Sequence, residues 1–298
     1  MAVADQAQSD KSDLKHHLRW FAQSSALNAY GMLARAGAAI NSRWEQRDDV
    51  SWLLMATMPN SGSTAIAKLL NHSQHVVELT KSGEGQWLVP AISTPGTRWD
   101  PEAPFNEGQL RRVWLSRVPA HPSPSVIFEK SPPNLCRIGK IADALAPMDR
   151  KIICLTRDPL ATCASWFRRY ALAAVIRSWC PEYRGTIQTE ADHLRLLGKI
   201  YGVRAGYLVK AREIAALTMS YEELTENPQK FVDALQELLP ILTDLRADAK
   251  VTVKDYEPMA LQNLNERQTS RITAEQADAI REGLADYRAD IEALGYSI

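Results

Sequence analysis

The sequence predicts an α/β fold: a P-loop-like three-layer arrangement in which a mainly parallel central sheet is flanked by helices. Short apolar runs bounded by turn residues recur along the chain, and segments with helical spacing lie between them. The first run leads at once into the turn Pro59-Asn60-Ser61-Gly62-Ser63-Thr64 and then a helix. Strands alternating with helices imply a parallel sheet covered on both faces.

In chain order, the run 50–58 is short and apolar and is closed by Pro59, so it reads as a buried strand ending in a loop. From Ser63, the residues Ile66, Leu69 and Leu70 recur at helical spacing, which gives the first half of a βαβ unit. Residues 75–79 form the next strand. A loop rich in Gly and Pro follows, and then a helix over 106–118 with Leu110, Val113 and Trp114 on one face. Strands at 125–128 and 151–156 flank a helix at 134–146. Beyond them the chain turns helical over 160–179 and about 189–216. A short strand follows at 217–220, with helices from Pro228 and from Thr273. Pro181 and Gly185 mark a break, and no internal repeat is visible.

A chain of 298 residues can bury a full core, and we expect a single domain, 49–298, preceded by a helical N-terminal segment, 1–48. Lys and Arg number 35 against 35 Asp and Glu, so no whole-molecule field attracts nucleic acid or an anionic membrane. No nucleic-acid partner is expected, and any anion must be held by a local site. Cys136, Cys154, Cys163 and Cys180 contain no CxxC pair and read as small buried thiols. The polar first residues lack the ordered regions of a secretory signal, so a cytoplasmic location is expected. The stretch 18–40 carries Arg19 and Arg35, and a central charge costs roughly 2.5–3.5 kcal/mol in hydrocarbon, which argues against a span. Leu18, Phe21, Leu27, Tyr30 and Leu33 instead suggest an amphipathic helix that docks on the domain, with peripheral membrane contact as the alternative.

The turn from Pro59 to Thr64 joins a buried strand to a helix, where successive backbone N–H groups and the positive helix end can surround an anion. It lacks the GxxxxGK[ST] pattern of a nucleoside triphosphatase, and Asn60 brings no charge. A sulfuryl group carries less charge than a terminal phosphoryl group, so metal-free transfer is chemically reasonable. No HExxH, paired CxxC or EF-hand spacing occurs, and no metal is expected.

These residues resemble the sulfotransferase superfamily, whose first strand is followed by P-[KR]-S-G-[ST]-[ST] and whose second signature is a strand ending in Arg with Ser eight residues later. Both stand here, as Pro59 to Thr64 and as Arg157 with Ser165. The resemblance implies 3′-phosphoadenosine-5′-phosphosulfate (PAPS) as donor and PAP as product. Asn60, Ser61, Gly62, Ser63 and Thr64 would wrap the 5′-phosphosulfate, and Arg157 and Ser165 would hold the 3′-phosphate. Tyr221, before Glu222-Glu223-Leu224, resembles the family tyrosine beside the adenine. The 265–271 loop resembles the final basic segment, and either Arg267 or Arg271 would reach the 3′-phosphate. Glu84, in Gly83-Glu84-Gly85 with Pro90 beyond, resembles the base of the tyrosylprotein branch, and Lys130, after the third strand, its lysine on the transferring group. This chain departs from the family at Asn60, where a cation is usual.

The function expected is transfer of a sulfuryl group to an acceptor hydroxyl or amine. A sulfotransferase-like nucleotide or glycan binder that has lost transfer is the alternative, and a divergent nucleotide kinase the third. His72, His75 and His121 read as structural. The loops 83–99 and 179–189 would choose the acceptor, and their tryptophans leave small molecule, glycan, lipid and peptide open.

Overall fold

The computed structural model describes residues 47–118, 125–250 and 261–298. The helix expected within 1–48 and His121 lie outside those residues, apart from Arg47 and Asp48.

Five strands, β1 (Val50–Thr57), β2 (Val76–Glu78), β3 (Ser125–Glu129), β4 (Asp149–Thr156) and β5 (Leu217–Ser220), form one sheet in the order β2-β3-β1-β4-β5. Every neighbouring pair is parallel. The α/β expectation holds, with helices on both faces. β1 is central, which is why it is a continuous apolar run rather than an alternating one. Trp52, Leu54 and Ala56 pack into the core on one face of the sheet, while Leu53 and Met55 pack into the core on the other.

The helices are α1 (Ser63–Leu70), α2 (Pro90–Ser93), α3 (Glu107–Leu115), α4 (Ile138–Ala144), α5 (Pro159–Arg169), α6 (Leu172–Trp179), α7 (Glu190–Ile214), α8 (Tyr221–Glu226), α9 (Pro228–Leu238), α10 (Asn265–Thr269), α11 (Ala274–Leu284) and α12 (Arg288–Ala293). Several differ from the sequence expectation, among them α2, which lies in the stretch expected to be a loop, and α4, shorter than the 134–146 helix expected. The helix expected over 160–179 is broken at Tyr170 and Ala171 into α5 and α6. Tyr221 and its neighbours form α8, begun by a capping box in which Ser220 and Glu223 satisfy each other's backbone N–H. The 265–271 loop contains α10, which packs on α5.

No helix among the described residues is long and apolar enough to cross a membrane. The four cysteines are buried free thiols, and burial pushes Cys154 and Cys180 up to about 12.

The strand order sets where a ligand can sit. The chain leaves β1 towards β2 on one side of the sheet and leaves β4 towards β5 on the other, so the loops part at the carboxyl ends of β1 and β4. Such a switch point is where open α/β sheets bind ligands.

Candidate functional site

All the predicted site residues cluster at this carboxyl edge. Across the sheet, Glu84 lies on the loop after β2 and Lys130 directly after β3. The 59–64 turn follows β1, Arg157 directly follows β4 and Tyr221 directly follows β5. His75 immediately precedes β2, at the opposite edge.

The turn after β1 is shaped by two residues with positive φ, Asn60 at 63° and Gly62 at 97°. Asn tolerates the left-handed region and Gly enters it freely. A Cβ on Gly62 would fall 2.7 Å from Cδ2 of Tyr221, so glycine also makes room for that ring. The N–H groups of Gly62, Ser63 and Thr64 have no backbone acceptor among the described residues. They open at the N-terminus of α1, where the helix dipole adds positive potential without a side-chain cation.

The junctions after β1 and β4 touch. Arg157 Nη1 donates to the Asn60 carbonyl at 2.5 Å, and Asn60 Nδ2 donates to Ser165 Oγ at 3.1 Å. The Asn60 amide oxygen also faces the Tyr170 hydroxyl at 3.4 Å. Asn60 thus links both sequence signatures. The Arg157 guanidinium lies 4.2 Å from the centre of the Tyr221 ring, a cation-π distance. Asp158 caps α5 by accepting from the Ala161 N–H.

Sequence reasoning missed the groups that hold this arrangement. Arg157 Nε donates to Asn265 Oδ1 at 2.8 Å, and Asn265 Nδ2 donates in turn to Glu222 Oε1 at 2.5 Å. The Tyr296 hydroxyl donates to Glu222 Oε2 at 2.8 Å. Burial and Glu222 raise the Tyr296 phenol above its ordinary range. Tyr201 donates to the Arg157 carbonyl at 2.6 Å. The basic 265–271 segment was marked in the sequence, but for Arg267 and Arg271, both of which are exposed. Nothing in the sequence pattern pointed to Tyr296. The Tyr221 hydroxyl donates to the Gln262 carbonyl and accepts from the Leu264 N–H, which anchors the ring beside the turn.

On the other side of β1, Lys130 Nζ lies 3.5 Å from Glu84 Oε1. The Lys130 stem packs on Gly83, and its N–H donates to the Gly83 carbonyl at 3.0 Å. Glu84 Oε2 accepts from Gln86 Nε2 at 2.9 Å and Trp87 Nε1 at 3.0 Å, so one oxygen is held and the other faces the lysine. Glu129 is not the partner of Lys130. It is wholly buried and accepts from the Gly85 N–H, the Ser131 N–H and hydroxyl, and Asn134 Nδ2. Burial raises its pKa, and those donors oppose the rise. Its effect is to tie the loops after β2 and β3 together and fix Glu84 beside Lys130.

The turn after β1 and the Glu84–Lys130 pair open into one cleft of about 420 Å³, lined by Asn60, Ser63, Thr64, Glu84 and Lys130 together with an aromatic wall that includes Trp87, Trp99 and Trp179, whereas Arg157, Ser165 and Tyr221 are not part of its lining. Among the described residues no group of three or more His, Cys, Asp and Glu could hold a metal ion. The site offers an anion cradle, a fixed carboxylate next to a buried cation, and an apolar wall.

A family model described as the sulfotransferase family matches residues 53–244. No curated protein matches the chain. Among solved structures, the sulfotransferase STF9 from Mycobacterium avium is similar over 89% of this chain and 75% of its own, with 13% identity and a TM-score of 0.54, a likeness of fold. A sulfotransferase from Alicyclobacillus acidocaldarius is matched at 15% identity over 84% of this chain and 96% of its own, with a TM-score of 0.46. The sulfotransferase domain of an olefin synthase from Synechococcus PCC 7002 is matched at 17% identity over 84% and 95%, with a TM-score of 0.45.

Proposed function

The chain belongs to the sulfotransferase family, and from that premise we propose that it moves a sulfuryl group from PAPS to an acceptor hydroxyl or amine, releasing PAP and the sulfated product. The observation that carries this is the contact between the two strand-to-helix junctions, Arg157 on the Asn60 carbonyl and the Asn60 amide on Ser165. One bis-phosphorylated adenosine can span both. The amides of Gly62, Ser63 and Thr64 receive the 5′-phosphosulfate, and Arg157 and Ser165 receive the 3′-phosphate. Tyr221 borders the adenine.

Transfer forms a bond from the acceptor oxygen to sulfur and breaks the bond from sulfur to the bridging oxygen, which stays with the nucleotide as phosphate. Glu84 takes the acceptor proton on Oε1, since Oε2 is held by Gln86 and Trp87. Lys130, 3.5 Å from Glu84, stabilises the charge that builds on the leaving oxygen. With the Asn60 amide turned to Ser165 and Arg157 assigned to the 3′-phosphate, this work falls to Lys130, which lines the same cleft as the turn. Free thiols at all four cysteines suit a reducing, cytoplasmic setting.

The test is transfer of radiolabelled sulfate from PAPS to a panel of hydroxyl and amine acceptors. Glu84→Gln is expected to lower kcat by ~10²–10⁴ and Lys130→Met by ~10²–10³, each with PAP affinity retained. Unchanged turnover in both variants removes these assignments. PAP binding without transfer to any acceptor favours the impaired binding protein.

A further inference from the structure

The part of the cleft around Glu84 holds more positive charge than its own residues neutralise. Arg98 lines it, its backbone fixed by Arg137 Nη2 on its carbonyl at 3.2 Å. Its guanidinium carbon lies 5.9 Å from the Trp87 ring, and its Nε is buried with no hydrogen-bond partner among the described residues. Behind the shared wall residue Trp99 sits a second cation, Arg204. Its guanidinium is 3.4 Å from the Trp99 ring centre and 4.4 Å from that of Trp179, and its Nη1 also lacks a partner. Burial pulls Arg98 down to about 10 and Arg204 to about 9, and Arg98 adds to the lowering of Arg204. Both remain cations at neutral pH. The carboxylate that acts on Arg98 is Glu84, which already faces Lys130. Aromatic faces offset a buried guanidinium only in part, and an unmatched buried charge is costly until a counter-ion arrives.

We propose that the acceptor carries an oxyanion besides its reacting hydroxyl or amine, a carboxylate or an ester of sulfate or phosphate, and that Arg98 binds it while the body of the acceptor lies against Trp87 and Trp99. This rests on the cleft being the acceptor site of the proposed transfer. The anion is the acceptor's and not the donor's because Arg98 faces Glu84, which takes the acceptor proton. The donor's phosphosulfate has its own partners in the amides of the 62–64 turn and Lys130.

Two matched probes test this, 4-hydroxyphenylacetate and its neutral amide, with binding read from the fluorescence of the cleft tryptophans and PAP binding by calorimetry as a separate arm. The wild type is expected to bind the carboxylate at least about tenfold more tightly than the amide. Arg98→Gln abolishes that preference, and Arg98→Lys keeps part of it. PAP affinity stays the same in both variants. Equal binding of the two probes by the wild type overturns the proposal without any variant having to fold. A preference that survives in Arg98→Gln overturns it as well, and so does a loss of PAP affinity matching the loss of carboxylate affinity, which would give Arg98 to the donor. Because the probe comparison needs no nucleotide, a wild type that fails to bind PAP rejects the donor assignment alone.

Discussion

Asn60 stands where the sequence resemblance leads one to expect a cation, and its geometry explains what an amide does there. With φ at 63°, the position costs most L-residues roughly 1–2 kcal/mol, which Asn and Gly largely escape. Its side chain adds the bond to Ser165, worth about 1 kcal/mol. Asn60→Gly keeps the backbone and loses the bond, so it is expected to cost about 1 kcal/mol, and Asn60→Ala, losing both, about 2 kcal/mol. Urea denaturation checks the order, and Gly as damaging as Ala would contradict it. At this scale the sequence pointed to candidate residues that the fold places at strand ends: the 59–64 turn, Arg157, Lys130. Asn265, Glu222 and Tyr296 were not legible because each acts through a partner far away in the chain. Asn265 reaches Arg157 and Tyr296 reaches Glu222, contacts that only the folded packing creates.

Elements were legible where apolar spacing or a cap marked them. α7 begins at the capping box of Thr189 and Asp192, and β5 spans Leu217–Ser220 as expected. The break between α5 and α6 is not legible in the sequence because no Gly or Pro marks it and both sides carry helical spacing. Its effect is to turn Tyr170 towards Asn60 and the Trp179 ring, 4.9 Å away. α7 also carries a pH-sensitive group. His193 is buried against Phe167, with Nε2 unpartnered among the described residues, and burial lowers its pKa. The imidazole is neutral in the native state, while the unfolded chain takes up a proton below about pH 6.5. The unfolded state therefore binds more protons in the window below that value. Full stability is present above it and is lost as pH falls towards the native pKa. Urea midpoints at pH 7.5 and 5.5 are expected to fall less for His193→Gln than for the wild type, and equal falls would contradict the assignment.

For the molecule as a whole, one topological fact organises the site. The order β2-β3-β1-β4-β5, all parallel, sets five loops side by side at one edge. The loops after β2 and β3 carry Glu84 and Lys130, those after β4 and β5 carry Arg157 and Tyr221, and the anion turn lies between them. Alternation of strand and helix made the parallel sheet foreseeable, whereas the strand order is written in no single segment. It follows from which apolar faces pack together. The most direct test of the shared nucleotide site is calorimetry in EDTA with PAP and with adenosine 5′-monophosphate, which lacks the 3′-phosphate. One PAP should bind per chain, at least about tenfold more tightly than the monophosphate, and Arg157→Met should erase that difference. Equal affinities in the wild type, or binding that requires magnesium, would mean that the two junctions do not hold one nucleotide between them.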